Sequence, residues 1–160
     1  MKYFIDTEFF ERGPNHPIEL ISLGIVAEDG REFSAVNTAF DWDTASSWLK
    51  DNVKPYLNSP FGETVFAEAD RLASHIVRFI GDDPNPEFWG YYSDYDWVVF
   101  CQIFGPMMML PSTFPYFCRD LRQWLDERGL SDLHQPDDAI HNALADAQWV
   151  KDTYFEQGGN

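Results

Sequence analysis

The chain has 160 residues, a length that suits one domain with room for a sheet and the helices that cover it. Its formal net charge of −16 is the reverse of the basic footprint carried by binders of long nucleic acid, so long-range attraction to a polyanion is poor. No apolar run approaches the roughly 18 residues of a membrane span, and the N-terminus enters a strand at once, leaving no room for a signal peptide. Cys101 and Cys118 are isolated, without metal-site spacing or a disulfide framework. These features predict a cytoplasmic protein with free thiols. No repeat, low-complexity tract or linker divides the chain, which reads as one domain over 1–160 with a core to about residue 155 and a tail at 156–160.

In chain order, residues 2–7 form the first strand. Ile18 to Ala27 and Arg31 to Thr38 form a hairpin through Glu28-Asp29-Gly30, since Asp-Gly favours tight turns between strands. Thr44 to Asp51 reads as a helix that ends before Pro55. From Glu63 to Ile80 the apolar positions Val65, Ala69, Leu72, Ala73, Ile76, Val77 and Ile80 mark an amphipathic helix closed by Gly81. Phe88 to Tyr92 is an aromatic strand, followed by a helix through about Phe104. Gly105 to Pro115 is a Pro- and Met-rich loop, its Met107-Met108-Met109 run a flexible surface of the core or part of a subunit contact. Phe117 to Arg128 is a helix ended by Gly129, and Ile140 to about Phe155 is the last helix. Strands first and helices interleaved later predict an α/β fold with a mixed sheet and flanking helices.

Three segments carry candidate chemistry. In Tyr3-Phe4-Ile5-Asp6-Thr7-Glu8 an apolar strand runs into two carboxylates spaced i, i+2, which a strand places on one face. Two carboxylates at the end of a buried strand repel and lose hydration, a cost that a divalent cation offsets; hard oxygen ligands suit magnesium or manganese. The plainer alternative is a strand that has reached solvent. In the last helix, Leu144, Ala147, Val150 and Tyr154 recur at helical spacing, and Asp146 borders that stripe rather than the solvated face. His141, near the helix start, reads alone as a surface histidine. In Trp89-Gly90-Tyr91-Tyr92-Ser93-Asp94-Tyr95-Asp96, Asp94 suits a cap or first-turn position, while Asp96 aligns with apolar Val99, Phe100 and Ile103. Periodicity favours Asp96 over Asp94 only weakly, because this helix is apolar nearly all round.

Together these segments resemble the DEDDh branch of the DEDD 3'-5' exonuclease superfamily, with Asp6 and Glu8 on the first strand, Asp96 in a central helix and His141 and Asp146 near the end. The chain is most similar to the small bacterial and phage exoribonucleases related to ribonuclease T and oligoribonuclease. Ile18-Glu19-Leu20-Ile21-Ser22-Leu23-Gly24, Ala27-Glu28-Asp29-Gly30-Arg31-Glu32, Gly105-Pro106-Met107 and Leu121-Arg122-Gln123 extend the similarity over roughly residues 1 to 155. The resemblance selects Asp96 over Asp94 and implies a ribonuclease H-like fold. It implies two magnesium ions, replaceable by manganese, roughly 4 Å apart. Asp6, Glu8 and Asp146 would hold one, and Asp6 with Asp96 the other. His141 would be the general base, its ordinary pKa of about 6.5 suiting that task. Nucleoside 5'-monophosphates would leave the 3' end of single-stranded RNA, with single-stranded DNA a second substrate. A homodimer and a preference for adenylate are further implications.

Substrate contacts follow less directly from the residues. Phe9 and Phe10 succeed the carboxylates, and one of the pair could stack on the terminal base, worth about 1–3 kcal/mol per base; both as core is the competing reading. Glu19 and Ser22 sit on the neighbouring strand, where a carboxylate could accept from a ribose hydroxyl or an adenine amino group. Tyr91, Tyr92 and Trp97 read as packing. The acidic charge weighs against a nuclease, unless the enzyme grips a few terminal nucleotides by stacking and metal contacts, which need no basic groove. Three alternatives stand beside this reading: a metal-dependent phosphohydrolase of free nucleotides or very short oligonucleotides, a 3'-5' DNA exonuclease, and an inactive ribonuclease H-like binding module. The complete set of five active-site residues weighs against the last.

Overall fold

The computed structural model describes residues 1–57, 63–136 and 141–160. A six-stranded mixed sheet organises it, built from β1 (Lys2–Phe10), β2 (Glu19–Ala27), β3 (Glu32–Asn37), β4 (Thr64–Ala67), β5 (Glu87–Gly90) and β6 (Arg119–Asp120) in the spatial order β4-β3-β2-β1-β5-β6. β1, β2 and β3 pair antiparallel in sequence, while β4 joins β3 and β5 joins β1 in parallel, as does β6 with β5. The helices are α1 (Ser47–Asn52), α2 (Ala69–Ile80), α3 (Asp94–Ile103), α4 (Leu121–Asp126) and α5 (Ala143–Glu156). The mixed sheet with flanking helices is the α/β arrangement expected of a ribonuclease H-like domain.

Helices cover both faces of the central strands, so β1 is apolar on both sides near its start. Tyr3 and Ile5 point into the larger core with Leu23, Ile25, Leu72 and Ile76, and with Trp97 and Phe100 of α3. Phe4 points the other way, toward Trp89, Leu121, Leu125, Val150 and Tyr154. Val26, opposite Phe4, packs on Leu144 and Ala147 of α5. A third cluster of Ile21, Phe40, Ala45, Leu49 and Val53, with Phe10 packed against it, anchors α1 to the far end of β1. No helix among the described residues is long and apolar enough to cross a membrane.

The β2–β3 hairpin closes as the Asp-Gly turn requires, with Gly30 at φ +90° and its N–H donating to the Ala27 carbonyl at 3.0 Å. Several boundaries differ from the sequence expectation. The amphipathic segment beginning at Glu63 is not one helix: Thr64–Ala67 is the edge strand β4, paired with Ser34–Asn37, and the helix starts only at Ala69. A β-branched and aromatic tetrapeptide took the free edge of β3 in preference to a helical turn. Leu72, Ile76 and Ile80 are the buried stripe of α2, whereas Val77 faces solvent. The helix expected from Phe117 begins at Leu121, because Arg119 and Asp120 pair with Trp89 and Gly90. Asp120 then caps α4 by accepting from Gln123 N at 2.9 Å. β1 runs on to Phe10, the strand expected to Tyr92 stops at Gly90, and Met107–Met109 forms one 3₁₀ turn within the loop. α5 starts at Ala143 behind an Asn142 cap; the expected start at Ile140 lies outside the described residues.

One close approach positions α5. A Cβ on Gly24 would lie 2.2 Å from the Ala143 carbonyl oxygen and 2.4 Å from Leu144 N, so the first turn of α5 rests on bare backbone. Gly24 pairs with Asp6 across the β1–β2 ladder, which brings this turn beside the first carboxylate. Gly24→Ala should therefore displace α5 and destabilise the protein by about 1–3 kcal/mol or more, as overpacking against unyielding backbone does. Chemical denaturation should show that loss. A variant with wild-type stability would mean that α5 is not seated by this contact.

Candidate active site

Strand alternation distributes β1 between the two layers. Asp6 and Glu8 share the α5 face with Phe4, and Thr7 points toward α3. Carboxylate oxygens of Asp6, Glu8 and Asp146 all lie within 4.8 Å of one another. Asp146 reaches them from the first turn of α5, after Asn142 has capped the helix by accepting from Ala145 N at 3.1 Å. Asp96 comes from the first turn of α3 and is 6% exposed. Its Oδ1 accepts from Thr7 N at 2.8 Å and from Thr7 Oγ1 at 2.6 Å, which locks α3 to the strand between the two acidic residues. Asp94 is exposed on the same turn. Asp120 holds the start of α3, accepting from Ser93 N at 2.8 Å.

Electrostatics record the cost of this assembly. Burial, then the charges of Asp96, Asp146 and Glu8, raise the Asp6 carboxyl well above the usual range. Burial with Asp146 and Asp96 nearby pushes Glu8 up to about 8. Asp146 is raised to about 6, chiefly by burial, against hydrogen bonds from Gln135 and the Asn142 backbone. Asp96 is raised by burial although both Thr7 donors oppose the shift. Among the described residues, no Lys or Arg forms an ion pair with any of these four.

The remaining expected site residues differ in burial and in partners. His141 is exposed, two residues ahead of α5, and its ring meets the Trp48 indole edge-to-face with centroids 4.7 Å apart. Phe9 is half-buried and stacks on Tyr95 at 5.6 Å with an 8° interplanar angle. The ladder register shifts just before it, between Glu8 and Phe9, and such bulges redirect side chains at the end of a strand. Ser22 is buried opposite Glu8. Glu19 is paired with Arg12 and lines a cavity of about 230 Å³ together with Asn37, Phe40 and Gln102. Trp97 is buried and Tyr91 half-buried, as packing requires. Tyr92 instead stands 61% exposed at φ +53°, a left-handed conformation that a bulky residue rarely adopts.

Residues 1–156 match the family model described as the 3'-5' exoribonuclease Rv2179c-like domain. The chain belongs to this family. It is 42% identical over 150 residues to the 3'-5' exoribonuclease Rv2179c of Mycobacterium tuberculosis strain H37Rv, covering 92% of this chain and 88% of the relative. The 3'-5' exoribonuclease MT2234.1 of strain CDC 1551 is similar to the same extent.

Sequence reasoning missed several members of this exoribonuclease-family site. Gln135, which donates to Asp146, comes from a segment with no regular pattern. Trp48 and Tyr95 gave no signal, since single aromatics read as packing. Thr7 could have been found, because a hydroxyl between two buried acidic residues on the opposite strand face needs a partner there.

The raised carboxylates set the pH dependence of the metal-free protein. An acid whose folded pKa exceeds its unfolded value favours the folded state when protonated, and that contribution is lost as pH rises through the folded pKa. For Glu8, raised from 4.5 to about 8, the loss spans that interval. In chelator the melting temperature should fall as pH rises from 5 to 8, and Glu8→Gln should flatten the slope and melt higher at pH 8. An unchanged slope in Glu8→Gln would remove Glu8 from the repelling cluster.

Proposed function

We propose that the protein is a metal-dependent 3'-5' exoribonuclease of the DEDDh type, a single exonuclease domain that releases nucleoside 5'-monophosphates from single-stranded RNA. The observation that carries this reading is the convergence of Asp6, Glu8 and Asp146 within 4.8 Å, with no Lys or Arg among the described residues paired to them. Family membership and the curated names of the relatives support the same activity.

The donor set fits a divalent ion: oxygen ligands only, half-buried, with charge uncompensated by the chain. Asp6, Glu8 and Asp146 would hold one magnesium or manganese ion and Asp6 with Asp96 a second. Such ions, when bound, neutralise charge on the scissile phosphate and lower the pKa of the attacking water. Thr7 keeps the Asp96 carboxylate oriented, with one oxygen engaged by two donors. Gln135 does the same for Asp146. His141 takes the proton from the attacking water at an imidazole nitrogen and, being exposed, passes it to solvent. Phe9, supported from behind by Tyr95, offers a ring to the terminal base.

Glu19 and Ser22 complete the substrate side of this reading, Glu19 by accepting from an adenine amino group. The cavity beside Glu19 is consistent with a base-sized occupant. We place the enzyme in the cytoplasm, where the free thiols Cys101 and Cys118 persist, and as a homodimer, for which exposed Met107, Met108 and Met109 supply apolar surface.

Asp6→Asn should reduce turnover on 5'-labelled RNA in magnesium below about a tenth of wild type, since it removes a ligand charge at constant volume. Asp94→Asn should leave turnover unchanged. In the same pair of variants, magnesium should raise the melting temperature of Asp94→Asn but hardly that of Asp6→Asn; a ligand that binds only the folded form adds about 2.7 kcal/mol at a hundredfold excess over Kd. Inactive Asp94→Asn with active Asp96→Asn would move the site to the other aspartate. A ladder shortening from the 3' end supports the exonuclease, whereas hydrolysis of free nucleoside triphosphates instead of RNA would favour the phosphohydrolase.

For base preference, oligo(A) RNA should be degraded faster than oligo(U) or oligo(dA), by about tenfold over oligo(U), the worth of one hydrogen bond to a charged acceptor. Glu19→Ala should erode that difference more than the maximal rate. Equal initial rates on all three substrates would discard the adenylate reading and leave the exonuclease.

A further inference from the structure

Among the described residues, His141 is held by less than the four acidic residues are. It precedes the Asn142 cap, so no turn of α5 fixes its backbone, and its side chain lies in solvent. Two contacts from one short segment meet His141 and its neighbour Asn142. Asn142 Nδ2 donates to the Tyr56 carbonyl at 2.9 Å, tying the start of α5 to the turn that follows α1. The Trp48 indole, on α1, meets the His141 ring at 4.7 Å and 69°.

Core packing does not account for Trp48. It is 50% exposed, while its neighbour Leu49 is the α1 residue that enters the core. Leu49 packs with Ile21, Phe40 and Val53, and Phe10 of β1 packs on that cluster. Ser46 caps α1 by accepting from Leu49 N at 3.2 Å, and Asn52 Nδ2 donates to the Trp48 carbonyl at 2.9 Å. The indole is thus mounted on a short helix that is itself bolted to the strand carrying Asp6 and Glu8. Edge-to-face aromatic pairs have a preferred geometry, so the ring restricts how the imidazole turns.

We propose that Trp48 is a positioning residue, which fixes the orientation of the His141 imidazole relative to the carboxylates and thereby sets the rate of the chemical step. The inference rests on His141 acting as the general base. A misplaced base slows the chemical step without weakening substrate binding, so the effect belongs in kcat. The competing role for an exposed tryptophan is a stacking platform for an RNA base, whose loss would raise KM.

Trp48→Leu keeps apolar bulk on α1 and removes the ring; Trp48→Phe keeps a ring. With magnesium and 5'-labelled RNA, Trp48→Leu should lower kcat about tenfold or more with KM little changed, and Trp48→Phe should recover most of it. In a His141→Ala background, Trp48→Leu should add no further loss, because the group it positions is gone. A readout independent of turnover is the imidazole proton resonance of His141 in the metal-free protein, identified by its absence in His141→Ala. It should shift in Trp48→Leu as the indole ring current is lost. A raised KM at unchanged kcat, or an additive loss in the double variant, would overturn the proposal in favour of the platform. If His141→Ala is slow and Trp48→Leu is normal, the positioning role falls and the general base stands. If His141→Ala turns over like wild type, both fall.

Discussion

The contact between the first turn of α5 and the bare backbone at Gly24 is the constraint on which the acidic site depends. With no side chain at that position, Ala143 and Leu144 settle onto the sheet beside Asp6, and Asp146 follows within reach of Asp6 and Glu8. The same approach sets the N-terminus of a 14-residue helix next to the carboxylates. Its unpaired amides carry partial positive charge, which offsets part of the repulsion. Burial first, and then the repulsion that remains, raises the carboxyl pKa values of Asp6, Glu8 and Asp146, while burial raises that of Asp96.

β1 serves both layers at once. Its even positions run from core (Phe4) to the clustered carboxylates (Asp6, Glu8) on the α5 side, and its odd positions from core (Tyr3, Ile5) to a hydrogen-bonding residue (Thr7) on the α3 side. Two helices from distant parts of the sequence are therefore registered against three consecutive residues. The bulge after Glu8 ends this arrangement and releases Phe9 toward Tyr95. Past that point the strand belongs to the α1 cluster, so the element that holds Trp48 against His141 is anchored on the same strand.

An acidic protein acting on RNA must work at short range. With a net charge of −16 the chain repels a polyanion, and salt screens that repulsion beyond a Debye length of about 10 Å. In the proposed reading, affinity comes instead from bound cations and from aromatic faces: Phe9 on Tyr95 and exposed Tyr92. Stacking and ion contacts fall off within a few ångströms, which suits an enzyme that holds the last nucleotides of a strand and leaves the rest free.

The sequence by itself determined the elements whose signal is local. Apolar alternation running into Asp6 and Glu8 placed two carboxylates on one strand face, Asp-Gly marked the hairpin, and helical periodicity set Asp146 at the border of a buried stripe. Those signals need only the two repeat periods of the backbone. Edge pairing was not legible: Thr64–Ala67 and Arg119–Asp120 became strands because neighbouring strands offered free backbone donors and acceptors, a fact that lies outside their own sequence. Periodicity also separated Asp96 from Asp94 only weakly, since α3 is apolar nearly all round. Tertiary structure distinguished them by burying one against Thr7 and leaving the other in solvent. The seat of α5 on Gly24, the Gln135 donor and the Trp48–His141 contact were decided there too. Each joins residues whose proximity depends on how whole layers pack, and no spacing along the chain encodes that distance.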